Sequence, residues 1–136
     1  MKAVFATVTI ATLCVASGAF AQERWWGRDD RWEPRTVDGI VDRVHADLNR
    51  AYEGWAVDRR DRHNLDHAEK ELRDFAVRWH AGRFNKGELE ESIESIQHVV
   101  ERNHMRPENR DALIGDLGQL QAMRQAYDRR EIWERR

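Results

Sequence analysis

Six histidines in a chain of 136 residues are the first place to look for chemistry. His63 and His67 stand four apart, a spacing that on a helix brings two imidazoles to one face within reach of a single ion. Asp66 lies between them as a neighbouring carboxylate. Projected at about 100° per residue, both histidines fall opposite Leu65, Leu72 and Trp79 and are expected to face water. No fixed third or fourth ligand is visible beside them. The residues therefore predict a solvated pair, with a metal site at His63, His67 and Asp66 as the alternative. Asp42 with His45, and Glu101 with His104, have the carboxylate-then-histidine spacing of di-iron bundles. Such a centre also needs inward carboxylates on the other two helices, where this chain offers Leu72, Phe75, Leu117 and Leu120. A c-type haem is excluded, because there is no Cys-x-x-Cys-His. No cofactor is expected.

The inventory for covalent catalysis is short. Cys14 is the only cysteine. Beyond residue 21 the only serines are Ser92 and Ser95, with His98 three positions after the second. Neither serine follows a strand-turn-helix elbow, and no glycine-rich phosphate loop exists. A nucleophile needs a base and an orienting group beside it, so the chain reads as a non-enzyme.

Tryptophan is the stronger candidate for a binding role. Trp25, Trp26 and Trp32 stand among Arg24, Arg28, Asp29, Asp30 and Arg31, and Trp133 lies near the C-terminus. Each ring can bury ~150–250 Å², so leaving them in water is costly. Either the segment folds back onto the rest of the chain, or these rings, with Tyr52 and Trp55, meet a glycan, a partner protein or a lipid surface.

The N-terminus indicates where such binding would occur. Lys2 precedes an uncharged run over 3–16 containing Val4, Phe5, Val8, Ile10 and Leu13, and Ala19-Phe20-Ala21 closes it with small residues at the positions a signal peptidase reads. Residues 1–21 are expected to be a signal peptide cleaved before Gln22, leaving no stable membrane span and a periplasmic or secreted product. The run is short for a spanning helix, which needs ~20 apolar residues. Cleavage leaves 115 residues without cysteine, enough for one domain held by packing alone. The formal charge of −2 becomes −3 once Lys2 is lost. Acids and bases interleave instead of forming one basic face, which argues against a nucleic-acid partner.

Four amphipathic blocks must position these groups. Residues 22–35 form a polar arm that contains Gly27 and Pro34 and has no sustained period. Thr36 is a plausible cap, with Asp38 in the opening turn; Val37, Ile40, Val41, Val44, Leu48, Ala51 and Tyr52 then line one face, and Gly54 is a candidate stop. Residues 56–63 are charge-dense and fit either a linker or an early helical turn. The second stripe holds Leu65, Ala68, Leu72, Phe75, Ala76 and Trp79, and Gly82 ends it. Asn85 and Glu88 make a capping box, and Phe84 with Leu89 makes a hydrophobic staple, ahead of Ile93, Ile96, Val99 and Val100. Pro107 suits a first helical position, and Leu113, Ile114, Leu117, Leu120, Met123 and Tyr127 follow.

No segment alternates with period two. The predicted fold is all-α: a small antiparallel four-helix bundle, or two stacked helical hairpins, over 36–128, followed by a charged tail at 129–136. Residues 105–113, Met-Arg-Pro-Glu-Asn-Arg-Asp-Ala-Leu, resemble the Leu-Thr-Pro-Glu-Gln-Arg-x-x-Leu segments of small periplasmic stress chaperones and metal-resistance sensors built on helical hairpins. Met105, Arg106 and Asn109 replace that pattern's Leu, Thr and Gln. The resemblance implies binding of unfolded clients or metals in the cell envelope. The functional expectation is a small exported binding module, chaperone-like in its contacts, with metal binding or sensing through surface histidines as the alternative.

Overall fold

Four helices account for nearly all of what the computed structural model describes, namely residues 32–53 and 58–132: α1 (Pro34–Glu53), α2 (Arg59–His80), α3 (Lys86–Arg102) and α4 (Pro107–Asp128). All belong to one unit spanning Arg31–Arg136. Trp25, Trp26, Trp55 and Trp133, with the expected signal peptide and Gly54, lie outside the described residues.

Local chemistry sets the ends of the helices. α1 begins at Pro34, two residues before Thr36. Proline's fixed φ and missing N–H suit the first turn, and the Glu33 carbonyl accepts the amides of Thr36 and Val37 at 2.9 and 3.3 Å. Pro34 and Arg35 are thus helical, and Asp38 falls past the opening turn. Across the ambiguous 56–63 stretch, Asp58 caps α2 by accepting from the Asp61 amide at 2.8 Å. Gly82, at φ 84°, ends α2. Its N–H donates to the Trp79 carbonyl and that of Arg83 to Arg78, the paired bonds of a left-handed C-terminal cap. α3 starts as its sequence indicates, with the Asn85 side chain accepting from the Glu88 amide at 3.2 Å.

Each helix touches two others: α1 with α2, α2 with α3, α3 with α4, and α4 with α1. The α1–α3 and α2–α4 diagonals have no backbone-level contact, so the interior is filled by side chains alone. Val37, Val44 and Leu48 of α1, Leu72, Phe75 and Trp79 of α2, Leu89 and Ile96 of α3, and Leu113, Leu120 and Met123 of α4 are almost wholly buried. Burying a side chain of this size contributes about 1.5–3 kcal/mol. Phe84, in the α2–α3 connection, meets Phe75 and Trp79 edge-on at 5.5 and 6.2 Å and stacks on Tyr127 at 4.3 Å. One ring therefore ties α2 and α4 beneath the α3 start.

Polar bonds fix the direction of the helices. Trp79 Nε1 near the end of α2 donates to Asp38 Oδ1 near the start of α1 at 2.8 Å. Asn64 near the start of α2 donates to Asn103 after α3 at 2.7 Å. Lys86 at the start of α3 reaches Asp128 at the end of α4 at 2.8 Å. Start pairs with end each time.

The expected tail at 129–136 is not a free appendage at its beginning. Arg130 takes φ 60° and closes a second left-handed cap, with Glu131 N–H donating to the Ala126 carbonyl at 2.9 Å. Ile132 then turns inward, is 7% exposed, and forms an isolated parallel bridge with Trp32. Trp32 itself is half-buried against the core.

Candidate functional site

The α2–α3 face gathers ligand chemistry from both helices. An open groove of about 450 Å³ is lined by His63, Asn64, His67 and Glu71 from α2 and by Glu91, Glu94, Ser95 and His98 from α3. Helical spacing explains the set: 63, 67 and 71 are four apart, as are 91 and 95, and the interval of seven from 91 to 98 stays on the same side.

Its acidic centre is crowded. Glu71, Glu88 and Glu91 place carboxylate oxygens within 4.8 Å of one another. The Glu71 side chain is only 9% exposed. Its Oε1 lies 3.4 Å from His67 Nδ1 and 3.1 Å from Lys70 Nζ. The Glu91 carboxylate faces that of Glu71, and this contact, followed by burial and the nearby acids, raises Glu91 above the usual carboxylate range. Lys70 opposes that rise, and is itself held well above its ordinary value by Asp74 and Glu71. Arg78 Nε stands 3.9 Å from Glu88.

His63 and His67 are exposed, as their phase on the helix indicated. Asp66 is not their partner: it lines a different open groove of about 620 Å³ on the α1–α2 face, with His45, Asn49, Tyr52, Glu69, Lys70 and Arg73. At 100° per residue Asp66 is rotated away from both 63 and 67, so the expected trio is split between two faces. The rest of the groove lining comes from α3. His98, Glu91 and Glu94 carry no local mark of this placement in the sequence; only the α2–α3 register brings them opposite His63 and His67.

The other spacings resolve into structural contacts. His45 Nδ1 lies 2.7 Å from Glu69 Oε2, and Asp42 is exposed. The Asp61 carboxylate, 5% exposed, accepts the His104 amide at 3.0 Å and lies 3.3 Å from its Nδ1, while Glu101 bonds Gln97. Asp58, Asp61 and His104 also bring three ligand atoms within 4.8 Å, but these are occupied in capping α2 and holding the turn after α3. Ser92 and Ser95 donate to the Glu88 and Glu91 carbonyls at 2.8 Å. Among the four expected contact tryptophans, Trp32 is the described one, and it packs inward. Large exposed apolar residues are scattered: Tyr52, Val77 and Ile114 lie on three helices. Among the described residues, no helix is long and apolar enough to cross a membrane.

Comparisons of the chain with protein families, with curated proteins and with solved structures return no match.

Proposed function

We propose that the protein is an exported, non-catalytic binding module, built as a closed antiparallel four-helix bundle, whose α2–α3 groove takes a divalent transition-metal ion. One observation carries this reading. A nearly buried Glu71 has its carboxylate within 4.8 Å of those of Glu88 and Glu91, with His67 in contact and His63 and His98 lining the same groove. Adjacent carboxylates repel, and a divalent cation bound between them relieves that repulsion. Imidazole with carboxylate and no thiolate suits zinc, copper(II) or nickel better than calcium, which prefers oxygen alone. Glu71, Glu88 and Glu91 would form the inner set, since their oxygens already converge within 4.8 Å; His67, 3.4 Å from Glu71, would supply the nearest imidazole, with His63 and His98 lining the same groove.

The envelope-contact reading, with an unfolded client, partner protein or glycan meeting Trp25, Trp26 and Trp133, depends on residues outside the described part of the chain. Trp32's inward packing favours its fold-back alternative for that ring. The α2–α3 groove carries the metal reading without them.

Calorimetric titration with zinc and with copper(II) tests the proposal. Binding at micromolar concentration or tighter is expected, weakened at least about tenfold in His98→Ala and in Glu71→Gln, since one lost ligand removes a kcal/mol or more. Asp66→Ala should bind as the parent does. No binding tighter than tens of micromolar, or equal losses in Asp66→Ala and His98→Ala, would refute it. Export is checked separately: the mass of the protein recovered outside the cytoplasm should begin at Gln22.

A further inference from the structure

The seam that closes the bundle, α1 against α4, contains two acids in otherwise apolar packing. Asp47 is 8% exposed and Asp116 2% exposed, and Asp116 sits among Leu113, Leu117 and Leu120. Both are buried where α1 packs on α4, and Asp47 stands near enough to Asp116 to push its carboxyl up. The two ends of this contact differ. Asp47 Oδ1 accepts from Arg50 Nη1 at 2.6 Å. Asp116 Oδ1 lies 4.0 Å from Arg43 Nε, and Arg43 gives its Nη2 to Gln119 at 2.6 Å. Asp116 Oδ2 is buried and meets no donor. An ionised Asp116 would leave that oxygen dry and unpaired beside a second carboxylate. A protonated Asp116 donates to Asp47 and satisfies both.

The surrounding charges are few. α1 contributes Arg43, Asp47 and Arg50. α3 meets α4 through Glu90 with Arg124 and Lys86 with Asp128, further along the helix, and through carbonyls that accept from Arg110. α2 makes no backbone-level contact with α4. Burial first, and Asp47 second, push Asp116 up to about 7 against the two arginines.

We propose that Asp47 and Asp116 form a proton-operated latch: one shared proton holds α1 against α4, and its loss lets that seam separate while α2 and α3 stay paired. This inference is independent of the metal-binding reading.

Hydrogen exchange on the intact protein, corrected for intrinsic rates, tests it at about pH 6 and about pH 8.5. Protection over 40–48 and 113–120 should fall about tenfold or more at the higher pH, while 92–100 holds. Asp116→Asn keeps a donor toward Asp47 without a titrating group, and should abolish the difference. Equal protection at both pH values in the parent, or the same fall in Asp116→Asn, overturns the latch. If that variant does not fold, the carboxyl-carbon shift of Asp116 decides on the unaltered chain. A midpoint near neutrality that coincides with the loss of protection supports the latch, and one below about 5 refutes it.

Discussion

At Asp116, burial and a neighbouring acid act together against charge, so the folded state binds a proton that the unfolded chain releases. With the folded pKa near 7 and the unfolded one near 4, this residue's contribution is complete below about pH 4 and is lost as pH rises through about 7. Urea unfolding should therefore show stability falling by the order of 1–3 kcal/mol across that interval, discounted because the arginines beside the pair are solvent-exposed. Asn103 offers a contrasting case with no titration. It is 3% exposed, donates to the Asp61 carbonyl at 2.8 Å, and accepts from Asn64 at 2.7 Å. Asn103→Ala leaves the buried Asp61 carbonyl and the half-buried Asn64 amide unmet and should cost about 1–3 kcal/mol, read as a lower urea midpoint with unchanged slope.

Among the elements, those whose signals are local were the ones legible in the sequence. α3 is the clearest: cap, staple and stripe lie within residues 84–100, and the helix starts and ends where they indicate. Asn85→Ala should cost about 1 kcal/mol in thermal or urea unfolding. Gly82→Ala should cost a similar ~1 kcal/mol, because φ 84° is strained for any residue with a Cβ. The start of α1 was obscured because Pro34 carries two opposite meanings, breaker and first helical residue, and only the Glu33 carbonyl contacts decide between them. Asp58 was obscured by its charged neighbours, which give no apolar period to mark a boundary. The α2–α3 groove lay beyond sequence reading for another reason. The spacing of His63 and His67 is visible on one helix, but pairing them with Glu91 and His98 depends on how α2 slides along α3, which no single stripe encodes.

Across the whole molecule, stability should concentrate where several helices share one side chain. Phe84 touches Phe75, Trp79 and Tyr127 at once. Phe84→Ala should cost about 3–5 kcal/mol, against under 1 kcal/mol for exposed Val77→Ala, in the same unfolding experiment. The Trp32–Ile132 bridge was likewise out of reach of periodicity, since it joins positions a hundred residues apart on neither stripe. It also has a topological corollary. Entry to and exit from the helical unit share one doorway, a geometry that domain insertion exploits. Spliced between two residues of a surface loop in an unrelated host, residues 32–132 would span the gap like a knot tied in a cord, leaving the host's two cut ends nearly where they began.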